Sequence, residues 1–257
     1  LKNLKNKNTN SIPWGIARAF LFFPIYLAFS VSAETQDSKT NLPTGSEFQQ
    51  ALEKAENGDP EIQALVSRFY LEGFQTAQDS DKAFKWAKNS ADAGNSSGET
   101  VLGQCYENGF GTVKNEQEAA KWYTKASDNE NYEAKGCLGL LYLRGRGVPK
   151  DAERGFQLIL ASAEMGYRKA QYNCGVCYAL GEGVQKNLEK AAQYFRRAAD
   201  QGDYKAMIRV ADAFILGKGV VKDPDIGFFY LKKSAGSDHA EAQRKLADCY
   251  RLGIGTK

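Results

Sequence analysis

The sequence predicts an all-α fold, a solenoid of 36-residue helix–turn–helix repeats. Three observations carry that expectation. The stretch Leu138-Gly139-Leu140-Leu141-Tyr142-Leu143-Arg144-Gly145-Arg146-Gly147-Val148-Pro149-Lys150-Asp151 returns 36 residues later as Cys174 to Asn187 and 36 residues earlier as Leu102 to Asn115. An aromatic side chain recurs at Tyr70, Tyr106, Tyr142, Tyr178, Phe214 and Tyr250, and a glycine at Gly73, Gly109, Gly145, Gly181, Gly217 and Gly253, with no insertion or deletion between them. On both sides of that glycine the apolar residues are spaced by three and four, the period of a single helical face. A fixed period of this size marks stacked units, each too small to bury its apolar face alone.

The elements follow in order. Residues 1–33 hold Lys2, Lys5, Lys7 and Arg18, no acid, and the apolar run Ala19 to Ser30; Val31-Ser32-Ala33 places small residues before a cut ahead of Glu34. That arrangement reads as a cleavable signal peptide and predicts a periplasmic or secreted protein with no membrane span in the mature chain. The apolar run is short for a span and contains Pro24; an uncleaved N-terminal anchor is the other reading of the same residues. Residues 34–46 are polar and read as a linker. Ser46-Glu47-Phe48-Gln49 has capping-box spacing and opens a first helix expected to reach Asn57. Residues 47–257 then form the solenoid, with a leading half repeat, five repeats of paired helices A and B, and a final half repeat.

Helix A of the first repeat is predicted from Ile62, Val66, Phe69 and Tyr70, which share one face. Asp59, Asn95, Asn131 and Asp203 stand at A-helix starts, where their side chains accept from first-turn amides, and Pro60 occupies a position that needs no amide hydrogen. The recurrent glycine ends helix A by adopting the left-handed conformation. Ser67, Gly103, Gly139, Gly175, Ala211 and Ala247 leave room for a neighbouring helix. Helix B begins at Asp79, Asn115, Asp151, Asn187 and Asp223, and Asp81, Glu153, Glu189 and Asp225 suit the positive end of its dipole. Its buried face reads Ala83-Trp86-Ala87-Ser90-Ala91 in the first repeat and Ala191-Tyr194-Phe195-Ala198-Ala199 in the fourth. Gly94, Gly166 and Gly202 close it. Asn129-Glu130 and Ser237-Asp238 depart from that closing pattern and predict two less regular turns.

Chemistry is sparse along this chain. Outside the basic N-terminal segment the charges nearly cancel, which leaves no electrostatic footprint for nucleic acid. Five cysteines in an exported chain leave at least one unpaired. Cys105, Cys177 and Cys249 share a repeat position with Phe69, Leu141 and Ala213, so they read as core. Cys174 and Cys177 both fall on the core side of a helix, and a single histidine supplies no ligand set for zinc. The sequence leaves a disulfide between neighbouring repeats open. Gly-x-Gly-Val-x-Lys resembles a phosphate-binding loop but follows a helix and recurs, which makes it a helix-connecting turn. His239 occupies the position of Asp59 and Asp203 and is placed in an inter-helix turn. No cofactor and no metal are expected.

The pattern Ala-x3-Leu-Gly-x2-Tyr-x2-Gly-x-Gly-Val-x-Lys-Asp, followed by an aromatic pair and Ala-Ala-x2-Gly, resembles the Sel-one-like repeat family, a branch of the tetratricopeptide-type solenoids. The fourth repeat matches nearly throughout, from Ala170, Gly175, Tyr178, Gly181 and Gly183 to Tyr194, Phe195, Ala198, Ala199 and Gly202; the first is weakest, with Gln75 at the second glycine. The resemblance implies a right-handed superhelix that recruits proteins or peptides, often in bacterial envelope assembly, stress signalling or host contact. It also implies a rival reading, a cell-wall-linked hydrolase or β-lactam-binding protein, because some cysteine-rich secreted relatives are associated with β-lactam binding or hydrolysis. Ser127-Asp128-Asn129 matches one element of that chemistry, but no Ser-x-x-Lys or Lys-Thr-Gly accompanies it.

The functional signal lies where the repeats disagree. The positions of Leu65, Arg68 and Glu72 share a face of helix A yet become Cys137, Leu140 and Arg144, then Asn173, Val176 and Leu180, then Arg209, Asp212 and Leu216. Beside them stand Gly136, Tyr172 and Ile208. Apolar and aromatic anchors next to Arg and Asp suit capture of a protein or peptide. Leu140, Arg144, Tyr172, Asn173, Val176, Arg209 and Asp212 are therefore the candidate binding residues of a non-enzymatic adaptor. Tyr172 is expected to be dispensable for folding, since Ala64, Thr100 and Gly136 hold its position elsewhere. At the far end, Leu246, Cys249 and Tyr250 form an apolar face with no helix B after it. The expectation there is truncation of the sequence or self-association through the C-terminal helix.

The leader generates a direct test. Mass spectrometry of the exported protein is expected to find a mature N-terminus at or near Glu34; an intact Leu1 terminus in the membrane fraction would establish the anchor instead.

Overall fold

A computed structural model describes residues 46–236 and 239–256. The leader, the linker and the turn at Ser237-Asp238 lie outside the described residues. Within them the chain forms twelve helices and no strand: α1 (Ser46–Glu56), α2 (Pro60–Glu72), α3 (Ser80–Asp92), α4 (Ser96–Asn108), α5 (Glu116–Asp128), α6 (Tyr132–Arg144), α7 (Ala152–Glu164), α8 (Arg168–Leu180), α9 (Leu188–Asp200), α10 (Tyr204–Leu216), α11 (Pro224–Ser234) and α12 (Ala240–Leu252). The even-numbered helices are A and the odd-numbered are B, so α1 leads, five A–B pairs follow and α12 is the last A helix. None of these helices is long and apolar enough to cross a membrane.

Each helix starts and stops where its side chains dictate. The Asp59 carboxylate accepts from the amides of Glu61 at 3.0 Å and Ile62 at 3.2 Å, and Asp151, Asn187 and Asp203 cap α7, α9 and α10 in the same way at 2.9 Å. Tyr167 and His239 occupy the N-cap positions of α8 and α12 without a side-chain cap bond. Every A helix ends on the recurrent glycine in the left-handed region, from Gly253 at φ 64° to Gly109 and Gly181 at φ 78°. At the end of α5 the structure corrects the expectation of an irregular turn. Glu130 itself takes the left-handed conformation, φ 58°, and the turn keeps the hydrogen bonds of its glycine-bearing counterparts. Holding a residue with a Cβ there costs about 1–2 kcal/mol.

Packing runs along the array instead of gathering at one centre. Within a repeat, A and B approach closely because position 139 and its equivalents are small. A Cβ on Gly175 would stand 2.7 Å from the Phe195 ring, and one on Gly139 2.7 Å from the Gly155 carbonyl oxygen. From the third repeat onward Phe156, Ile159, Cys174, Tyr178, Phe195, Met207, Val210, Leu231 and Cys249 form one buried spine, and smaller clusters around Tyr70, Leu102 and Tyr123 fill the earlier repeats. At the last repeat Cys249 is buried, Leu246 packs on the spine, and Tyr250 is exposed with its ring edge-on to Phe228.

The second glycine of each A–B connection seats one repeat on the one before it. A Cβ on Gly111, Gly147, Gly183, Gly219 or Gly255 would collide with the carbonyl oxygen of Ser80, Glu116, Ala152, Leu188 or Pro224 respectively, the first residue of the preceding B helix in every case. Gln75 breaks the glycine pattern where the preceding helix, α1, opens only at Ser46, and its side chain donates to Glu47 at 3.1 Å. This separates two glycines with similar backbones. Gly183→Ala is expected to destabilise the array by about 1–3 kcal/mol more than Gly166→Ala, because a Cβ at Gly166 meets nothing within 4 Å although its φ of 91° is also left-handed. Chemical unfolding of the two variants checks the difference.

Candidate functional site

On the A helices other than α4, where Val101 is buried, the buried residues leave one open stripe of four positions spaced i, i+4, i+7 and i+11, a single face of a helix. On α8 the stripe is Lys169, Asn173, Val176 and Leu180, and on α10 it is Lys205, Arg209, Asp212 and Leu216. On α6 it is Glu133, Cys137, Leu140 and Arg144. Contacts between repeats align these stripes into one surface. Lys245 on α12 donates to both carboxylate oxygens of Asp212, at 2.7 and 2.9 Å, and Arg209 lies beside Tyr172 of the preceding repeat.

The direction of the bend follows from one ion pair. Arg68 on α2 meets Glu133 on α6 at 2.7 Å, past the intervening α4. Units of a solenoid ordinarily touch only their neighbours. Side chains two repeats apart meet only where the array bends inward, so the A-helix stripes line the concave face.

The structure separates the seven candidate residues by role. Arg144 and Arg209 are exposed, while Asn173 and Asp212 are half-buried, Asp212 held by Lys245. Leu140 and Val176 are half-buried and pack onto the core spine beneath the stripe. Tyr172 also packs there, its ring centre 5.6 Å from that of Phe195. The half-buried aromatic therefore has a packing contact over Phe195 in its own repeat beside the binding role expected of it.

Sequence reasoning missed the polar centre of the face. Glu133 accepts from Gln104 at 2.9 Å and from the Tyr167 hydroxyl at 3.1 Å in addition to Arg68, which draws residues of the first three repeats and the N-cap residue of α8 onto one carboxylate. Burial alone would raise this carboxyl, but the Arg68 guanidinium and the donated hydrogen bonds outweigh it and hold the group below the usual carboxylate range. Glu107 forms a second centre, accepting from the Tyr123 hydroxyl at 2.8 Å and from Arg146 at 2.7 Å. A signal for Glu107 existed, since Leu71, Leu143, Ala179 and Ile215 hold its position in other repeats. Glu133 gave none, because its column changes freely from Glu61 to Ser97, Lys169 and Lys205.

The groups proposed for nucleophilic or metal chemistry are placed unfavourably. All five cysteines are free thiols, and burial pushes Cys105, Cys137 and Cys174 up to about 12 and Cys177 to about 11, far from the thiolate that catalysis or metal binding uses. Ser127, of the one tripeptide matching β-lactam chemistry, is buried in the last turn of α5. Among the described residues no group of three or more His, Cys, Asp or Glu side chains is arranged to hold a metal ion.

The chain matches the Sel1 repeat over residues 60–95, 96–131, 138–167, 168–203, 205–239 and 240–257. Among solved structures it is similar to a Sel1 repeat protein from Oxalobacter formigenes, with 30% identity over 82% of this chain and 87% of that one and a TM-score of 0.72. It is likewise similar to c5321, a protective antigen of uropathogenic Escherichia coli with an SLR fold. There the identity is 30%, the TM-score 0.69, and the match covers 83% of this chain but 46% of the antigen, so the chain spans about half the antigen's length. An immunity protein of Pseudomonas aeruginosa, Pa5087, shares the fold at 23% identity and a TM-score of 0.57, over 77% of this chain and 76% of that one. No curated protein matches the chain in sequence.

The Glu133 centre has a pH signature. A carboxyl held lower in the folded state than in the unfolded one stabilises fully above the unfolded value and loses that contribution as pH falls through the folded value. Glu133→Gln is therefore expected to lower stability by about 1–3 kcal/mol at neutral pH, with the difference from the parent closing as the buffer is made acidic. Urea unfolding of both proteins from pH 7 downward checks it.

Proposed function

Because the chain belongs to the Sel1 repeat family, we propose that it is an exported, non-catalytic scaffold whose concave A-helix face binds a protein or peptide. One observation carries this reading. The stripe positions vary in chemistry from repeat to repeat while the side chains beneath them are held to apolar packing, and the aligned stripes form a continuous surface from α6 to α12. A surface that only needed to stay soluble would carry charge of any kind. This one combines exposed Arg144 and Arg209 with apolar Leu140 and Val176 at its floor, the composition from which interface hot spots are built.

The two sides of the array differ in what they offer. The α9 exterior of Lys190, Gln193, Arg196 and Arg197 is polar and exposed, the ordinary solvated face of an amphipathic helix, while on α11 Ile226 and Phe229 are exposed apolar residues. The residue pattern at 1–33 supports delivery across a membrane, where a scaffold of this kind would meet envelope or extracellular partners.

The test is positional. A photo-crosslinking side chain introduced at Val176, in the floor of the concave face, is expected to trap a partner in the native envelope, whereas the same group at Arg196 on the B-helix exterior is not. Adducts from Arg196 alone would reject the concave face as the binding surface.

A further inference from the structure

The concave face is not equally open along its length. In the first three repeats its centre is a closed polar cluster, with Glu133 taking up Arg68, Gln104 and Tyr167, and Arg144 is the exposed cation at its edge. From the fourth repeat onward the pattern changes. Along one edge Lys169, Lys205 and Arg209 are exposed, and among the described residues none of the three stands in an ion pair. Along the other edge Leu180, Leu216 and Leu252 are 68%, 57% and 58% exposed. Leu180 and Leu216 stay exposed although further repeats pack on both α8 and α10, so their exposure belongs to the face itself. Between the edges Asp212 is neutralised by Lys245, and Glu241 on α12 ends the basic row.

The spacing of these rows selects a shape. Along one helix, Lys169 and Leu180 are eleven residues apart, about 16 Å at 1.5 Å per residue, wide enough for a backbone with side chains reaching to either edge. Helices packed side by side stand about 8–10 Å apart, which sets the scale of the step from one A helix to the next. A polyproline-type extended chain advances about 9 Å in three residues, so its every third side chain can meet the same position of successive A helices. An α-helical ligand needs six residues for the same advance and turns most of its side chains away from both rows.

Resting on the concave face as the binding surface, we propose that the partner element is an extended acidic segment with an apolar side chain at every third residue. It lies across α8, α10 and α12 with the apolar row against Leu180, Leu216 and Leu252 and a neighbouring row of carboxylates toward Lys169, Lys205 and Arg209. Positive potential steers such a segment to the face, and the leucine row fixes its register.

The probe is a fluorescein-labelled dodecapeptide of Leu-Glu-Pro triplets, with Leu-Lys-Pro and Ser-Glu-Pro peptides and an oligothymidylate of equal charge as comparators, titrated by fluorescence anisotropy against the full chain. The Leu-Glu-Pro peptide is expected to bind at least about tenfold more tightly than each comparator, a difference of about 1.4 kcal/mol. Replacing Lys169 and Lys205 together by Glu should remove that preference and favour the lysine peptide. Replacing Leu180 and Leu216 together by Ser should weaken the glutamate peptide about tenfold with helicity unchanged by circular dichroism. Absent binding, equal affinity for the comparators, or unchanged affinity in either helical double variant overturns the proposal. A partner trapped from Val176 and not displaced by the Leu-Glu-Pro peptide would overturn it while leaving the concave face intact; trapping from Arg196 alone would remove both.

Discussion

The structure depends on the seating of each A–B connection on the first turn of the preceding B helix. Gly147 against Glu116 and Gly183 against Ala152 are backbone-on-backbone contacts with no room for a side chain. A unit of two thirteen-residue helices buries too little on its own, so this joint converts one unstable hairpin into an array. It also removes freedom. Backbone atoms in contact admit one rotation between neighbours, and a fixed rotation repeated along the chain becomes a fixed curvature. The concave face, and with it the alignment of the stripes, follows from a glycine that lies outside that face.

Much of this was readable in the sequence because the information is local and repeated. A cap such as Asn187 acts on an amide three residues away, and the αL glycine at Gly181 acts on the turn it terminates. Neither depends on the rest of the molecule, and recurrence separates such signals from chance. The same reasoning failed at Glu130, where the turn keeps its geometry with no glycine at that position. Packing on both sides over-determined the backbone, and a residue of higher conformational cost was carried along.

What the sequence hid was non-local. Arg68 and Glu133 are separated by 65 positions, and nothing in either column marks them as partners. Glu99 is similar: a fully buried carboxylate met by Lys125 at 2.8 Å, at a position where Gln63 and Gln171 instead bond the carbonyl oxygens of Ala55 and Ala163. Each answers the same need, a polar partner for a buried helix junction, with different chemistry. Tyr172 is the converse case. Comparison across repeats treated its position as replaceable, yet in its own repeat the ring covers Phe195, so repeat equivalence does not guarantee equivalence of packing.

These observations bear on how a repetitive molecule acquires a specific face. Repetition alone would place the same side chains on every A helix and make a surface without register. Here the two halves of the face diverge. The Glu133 centre ties the first three repeats and the N-cap of α8 together with charge, hydrogen bonds and little exposure, fixing the bend where the face is closed. Beyond it, among the described residues Lys169, Lys205 and Arg209 stand in no ion pair, while Leu180 and Leu216 remain in water. Both arrangements are costly for an isolated chain, since neighbouring positive charges repel and exposed apolar area is poorly solvated. The costs fall on adjoining repeats and on one face, where a single bound segment would relieve them together. The closed half supplies the rigid curvature that such a segment would meet, and a preformed surface loses less freedom on binding than one that must first be ordered.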